Sequence, residues 1–95
     1  MDNTQTLNIE VADFKTVIGE IPKGELPVIA IYNSPSDIPD KYVARLWSTG
    51  SAGPNPTRYI AAKETLNDIR KTIPGGMFRI DRCAADDSVI VETWL

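Results

Sequence analysis

The chain reads as an α+β domain: a mainly antiparallel sheet of about six strands with two short helices on one face. Three observations predict it. Four runs, PVIAIYN (27–33), YVARLWS (42–48), GMFRIDR (76–82) and VIVETWL (89–95), are apolar or alternate with the period of a β-strand. The stretch TLNDIRKTIPGG (65–76) places Leu66, Ile69 and Ile73 on one helical stripe and ends in Pro-Gly-Gly. The first quarter of the chain then repeats that second pattern.

In DFKTVIGEIPKG (13–24), Phe14, Val17, Ile21-Pro22 and Gly24 stand 52 residues before Leu66, Ile69, Ile73-Pro74 and Gly76. Asp13 falls on the N-cap position that Thr65 takes in the later stretch, where Asp68 completes a box-like start. Strand-like residues precede both copies, TLNIEV (6–11) and TRYIAA (57–62). An apolar strand follows each. YVARLW laid over VIVETW pairs Val43 with Ile90, Ala44 with Val91 and Trp47 with Trp94. The single domain therefore divides into two βαββ units, 6–49 and 57–95, joined by TGSAGPNP. The alternative is that helix–Ile-Pro–Gly endings are common and the match is chance. Helices this short need packing on the sheet to persist.

Packing assigns the faces. Ile29, Ile31, Tyr42, Ala44 and Leu46 form the apolar phase of the first two strands, and Phe78, Ile80, Val89 and Val91 that of the last two. With the two helix stripes they make the expected core. The opposite phase lies on an uncovered face: Tyr32, Val43, Arg45 and Trp47, then Met77, Arg79 and Asp81, then Ile90, Glu92 and Trp94. Both tryptophans are expected there, away from the helices. Solvated sheet faces are usually polar, whereas exposed aromatics beside arginine mark contact surfaces.

Composition limits the chemistry. At 95 residues, 42% hydrophobic and 24% charged, the chain is an ordinary globular domain with a modest core. No apolar run is long enough to span a bilayer, MDNTQTLNIE does not read as a secretory signal, and the single Cys83 fits a reducing cytoplasm. The absence of histidine removes His-based triads, Cys–His dyads and the usual zinc sites. A net charge of −3 argues against duplex DNA or RNA but not against a compact anion. Asp37, Asp40 and Asp86-Asp87 match no calcium loop, and GSAG (50–53) lacks the Lys-Ser/Thr of a phosphate loop. The segment holding GSAG reads as a long hairpin connection able to act as a flap, with Arg58 and Tyr59 behind it. DIRK (68–71) reads as the solvent face of its helix, and Cys83 as an inert thiol.

Three readings of the uncovered face remain open. Arg45–Glu92 and Arg79–Asp81 can be charge pairs shielding the tryptophans. The face can join copies of the chain. Or it can hold a ligand, with Arg45, Arg79 and Arg58 on phosphates and Trp47, Trp94, Tyr32 and Tyr59 stacking rings.

The layout AIYNSPSDIPDKYVARLW, LNDIRKTIPGGMFRIDR and DDSVIVETWL, covering 29–95, resembles small proteins of phages and bacterial mobile elements. That group includes the anti-defence nucleotide sponges. The resemblance implies a homo-oligomer in the host cytoplasm that sequesters a cyclic nucleotide signal without catalysis or cofactor. It carries over no individual site residue. The competing expectation is a phage or prophage accessory module that docks onto a host protein. An enzyme would need a carboxylate or arginine mechanism on Asp81, Glu92, Arg45 and Arg79.

Overall fold

The computed structural model describes residues 8–81 and 89–95. Six strands form one sheet: β1 (Ile9–Glu10), β2 (Leu26–Asn33), β3 (Tyr42–Gly50), β4 (Gly53–Lys63), β5 (Arg79–Asp81) and β6 (Ile90–Trp94). Their spatial order is β1-β4-β3-β2-β6-β5. The sheet is mixed, because β1 runs parallel to β4 while every other pair is antiparallel. One α-helix, α1 (Leu66–Arg70), and one 3-10 turn, Val17–Glu20, complete the regular structure of the described residues. The α+β class holds; the second helix does not.

Local chemistry explains the difference. Thr65 caps α1, its hydroxyl accepting the Asp68 amide at 3.1 Å. Asp13, placed equivalently in the sequence, instead accepts the Lys15 amide at 2.9 Å, two residues on, which is an Asx turn. The residues after it, Thr16, Val17, Ile18 and Gly19, are three β-branched side chains and a glycine, all poor helix formers. What forms is the tighter 3-10 turn.

The two halves share the element order strand, helical turn, strand, strand, but β1 leaves its own half to pair with β4. Between β3 and β4 the chain turns in two residues, with Gly50 opposite Gly53 at a φ of 101°. Residues 49–50 and 53–56 are therefore ladder, joined by a tight turn rather than a flap. Thr49 faces Pro54 and Trp47 faces Pro56, alternate positions where a proline nitrogen points away from β3, and among the described residues β1 pairs β4 at Tyr59 and Ile60. Both prolines fit there without losing a bond.

The core lies between the sheet and the helical layer. Phe14, Ile29, Ile31, Leu46 and Ile69 are fully buried in it, with Ala44 and Ala61 giving room for close approach. Phe14 is fixed from its backbone, since its amide donates to the Thr72 carbonyl at 3.0 Å just past α1. The expected core residues of β2 and β3 are in place, as are the two helical stripes.

In the last two strands the phase differs. Phe78 and Ile80 are exposed, and Met77 and Trp94 pack against the core instead. The cause is a β-bulge in β6. Ile31 faces Glu92 and Tyr32 faces Ile90, so two steps of β6 match one step of β2. A bulge resets which face the following residues take. Ile90 and Val91 keep their expected sides, while Glu92 and Trp94 turn under the helical layer. β5 follows its partner, because Arg79 faces Trp94 and Asp81 faces Glu92.

Removing the Phe14 ring should open a cavity in the middle of this core. We expect Phe14→Ala to cost about 3–5 kcal/mol, most of the stability of so small a domain. Urea unfolding followed by tryptophan fluorescence measures it; a loss below 1 kcal/mol would show that the site collapses without strain.

Candidate functional site

Two clusters of chemically active side chains stand on opposite sides of the sheet. The first is on the helical side. Glu92 is only 2% exposed. Its carboxylate accepts Arg70 Nε at 3.0 Å and Nη2 at 2.8 Å, a bidentate pair from α1, and Trp94 Nε1 at 2.9 Å. On β5, beside it, Arg79 pairs with Asp81 of the same strand at 3.2 Å. Burial by itself would raise the Glu92 carboxyl, but the hydrogen bonds from Arg70 and Trp94 and the charges of Arg70 and Arg79 outweigh it, and the group sits below its ordinary value. Arg70 ties α1 to β6, and Trp94 holds the carboxylate from β6 itself. This cluster is a clamp between α1 and the β6 end of the sheet.

The second cluster is on the face that no helix covers, and the strand registers place its side chains in rows. One row runs Pro56, Trp47, Val28. Continuing the register one residue beyond Ile29–Trp94 brings Leu95 beside Val28, and Leu95 exchanges both backbone hydrogen bonds with Phe78 at 3.0 and 2.7 Å. The next row is Ile60, Arg45, Ala30, Thr93, Ile80. Flanking rows carry Ala62, Val43, Tyr32 and Ile90 on one side and Pro54, Thr49 and Leu26 on the other. Among the described residues of these rows Arg45 is the one charged side chain.

Arg45 forms no ion pair with any described residue. Its Nη1 donates to the Thr57 carbonyl at 2.8 Å, which holds the guanidinium along the face. Thr57 sits in an irregular stretch of β4, where Arg45–Ile60 and Trp47–Pro56 leave two extra residues on β4. Its hydroxyl donates to the Leu46 carbonyl at 2.7 Å and accepts the Tyr59 amide at 3.2 Å. That knot turns Arg58 outward beside Arg45. Trp47 Nε1 donates to the Tyr32 hydroxyl at 3.2 Å, fixing the indole edge and leaving its ring on the surface.

Depressions flank Arg45 on both sides. A cleft of about 440 Å³ is lined by Arg45, Trp47, Pro56, Thr57 and Arg58. A smaller one of about 210 Å³ is lined by Tyr32, Val43 and Arg45 with Pro35 and Asp37 of the 34–41 loop. A partly buried guanidinium, a second arginine and an indole face around an open cleft can hold a compact anion and stack a flat ring.

The expected site residues therefore separate. Tyr32, Arg45, Trp47 and Arg58 are together. Arg79 and Trp94 belong to the clamp across the sheet. Tyr59 points to the helical side, where its hydroxyl donates to Glu20 at 3.2 Å. The expected Arg45–Glu92 pair does not form, since Arg70 holds Glu92. Arg70 was hidden in the sequence because DIRK reads as a solvated helix face; only the position of β6 beneath it reveals its partner. Among the described residues no group of three or more acidic or thiol side chains converges as a metal site would require. Arg82, Cys83 and Asp86-Asp87 lie outside the described residues. Among the described residues no helix is long and apolar enough to cross a membrane. No family model, curated protein or solved structure matches the chain.

The clamp makes a pH prediction. Glu92 is more acidic folded than unfolded, so the unfolded chain binds more protons and stability rises with pH through the acid range. Its contribution is complete above the ordinary glutamate value of 4.5 and lost as pH falls through the lower folded value. Urea midpoints measured from acid to neutral pH should fall toward acid in the native chain and less so in Glu92→Gln. Arg70→Ala should lower the midpoint at neutral pH, because it strips a buried carboxylate of its cation. Equal pH slopes in the native chain and Glu92→Gln would refute the clamp.

Proposed function

We propose that the protein is a non-enzymatic binding protein that captures a small anionic ligand bearing a flat ring, a nucleotide in the first instance, on its uncovered sheet face. The observation that carries this reading is the division of the arginines. Arg70 and Arg79 face carboxylates across the sheet, whereas Arg45 lies partly buried beside an indole, held only by a backbone carbonyl, with Arg58 next to it. A half-buried guanidinium with no ion pair among the described residues is poised for an anion from solution.

In this reading Arg45 and Arg58 meet phosphate oxygens, and Trp47 stacks the base, with Tyr32 fixing the indole edge. A cleft of about 440 Å³ is in the range of small-molecule sites. The resemblance to anti-defence nucleotide sponges makes cyclic di- and trinucleotides the first ligands to try, and release of unchanged ligand from the heated complex is the outcome that fits sequestration without turnover.

Titration calorimetry against a panel of cyclic nucleotides tests it. Trp47→Ala should weaken binding about tenfold or more, since a base–aromatic stack is worth about 1–3 kcal/mol. Arg45→Ala should weaken it by a similar factor, as a hydrogen bond to a charged group contributes about 1.5–3 kcal/mol. Arg79→Ala should leave affinity unchanged. Absence of heat and of any thermal shift across the panel, or an equal loss in Arg79→Ala, would sink the reading.

A further inference from the structure

We infer that the two depressions beside Arg45 form one site for a dinucleotide, and that Asp37 makes the smaller one a pocket for guanine. The inference rests on the nucleotide reading and adds to it which base the site selects. Arg45 lines both depressions, so a ligand filling both passes over its guanidinium. The two ends differ in charge. Arg58 joins Arg45 and Trp47 in the larger cleft, whereas the smaller depression holds the Asp37 carboxylate, with Tyr32, Pro35 and Val43 completing its lining. Asp37 and Arg45 share that hollow without forming an ion pair, and the Asp37 side chain has no hydrogen bond to a described residue. Its loop is fixed from the backbone. The Ser34 amide donates to the Lys41 carbonyl at 2.8 Å and closes the 34–41 loop at its base. The Ile38 amide donates to the Pro35 carbonyl at 3.0 Å, a turn with Asp37 at its third position.

Chemistry selects the occupant. A carboxylate repels phosphate, so the anionic part of a nucleotide belongs with Arg45 and Arg58, and a neutral group belongs at Asp37. Val43, only 4% exposed, and Tyr32 give the hollow apolar surface that suits a flat ring better than a hydrated cation. Among the bases, guanine alone offers two adjacent donors, N1–H and the N2 amino group, to the two oxygens of one carboxylate. Adenine and cytosine set a ring-nitrogen lone pair beside their amino group, and uracil flanks its one N–H with carbonyls. Each would turn a lone pair toward Asp37. Bidentate, charge-assisted bonds are strong, and a site built for them rejects analogues that cannot make them.

Distance requires a second base. Asp37 lies at the Val43 end of the row Val43, Arg45, Trp47, and that row is four residues of β3 long, about 14 Å. A single base cannot reach Asp37 and also stack on Trp47. A dinucleotide can, with one base at each end and phosphate over Arg45.

Titration calorimetry of the full chain with cyclic di-GMP, cyclic di-AMP and GMP tests the assignment. The native protein should bind cyclic di-GMP about tenfold or more tightly than either of the others, since the charged hydrogen bonds and the second stack each contribute that much. Asp37→Asn should erase the preference over cyclic di-AMP, because its amide turns an N–H toward a guanine donor. Asp40→Asn, in the same loop but outside both depressions, should keep it, which separates a specific contact from the loss of a charge. Circular dichroism of both variants checks the fold. Cyclic di-AMP bound as tightly as cyclic di-GMP, with both weakened by Trp47→Ala, overturns the guanine assignment and leaves the nucleotide reading standing. A preference that survives Asp37→Asn, or GMP bound as tightly as cyclic di-GMP, overturns it too. Affinity for other cyclic nucleotides but none of these three overturns this inference alone; no binding across the whole panel overturns both.

Discussion

The architecture turns on one carboxylate placed where water cannot reach it. A glutamate 2% exposed under a helical layer is tolerable only with a cation and further donors, and Glu92 has both in Arg70 and the Trp94 indole. The bulge in β6 turns Glu92 inward, and the pair it makes then locks α1 over that end of the sheet. Once Glu92 and Trp94 face the helical layer, the pairing of β5 with β6 sends Arg79 and Asp81 the same way. Phe78, Ile80 and Leu95 are left for the other side. The charge clamp and the apolar face are thus two consequences of a single shift in phase.

The shift also gives the two faces their separate work. On the helical side, charged groups meet each other and stabilise. On the uncovered side, one guanidinium remains amid aliphatic and aromatic surface, with Thr57 supplying a carbonyl and no counter-charge. A half-buried guanidinium with no ion pair among the described residues keeps its donors available to an anion. The geometry around it is fixed by short local bonds: Thr57 to Leu46, Trp47 to Tyr32. Such fixation lowers the ordering cost that a ligand would otherwise meet on binding.

Much of this was legible in the sequence, and the point where legibility ends is specific. Thr65, Ile69 and Pro74 mark α1, and YVARLW announces by its alternation that Arg45 and Trp47 share a face opposite Ala44 and Leu46. The likeness of YVARLW to VIVETW holds through Val43 with Ile90 and Ala44 with Val91. It fails at Trp47 with Trp94, because the bulge falls between. Alternation counted along an isolated strand cannot report a bulge, since the extra residue exists only relative to the neighbouring ladder. The same reason hides Arg70: its partner lies 22 residues away, on a strand whose facing had been inverted. The long loop expected around GSAG failed differently. The connection is a hairpin, but its turn is two residues, because alternate positions beside a ladder accept Pro54 and Pro56 without loss.

The edges of the sheet are guarded where the face is not. An exposed strand edge invites pairing with another chain, and proteins blunt such edges with short strands, charges and proline. Among the described residues β5 presents Arg79 and Asp81, and β4 carries Pro54 and Pro56. These charges and prolines work against edge-to-edge pairing. What remains unguarded is the middle of one face, where Leu26, Phe78, Ile80 and Leu95 stand with no lysine or glutamate between them.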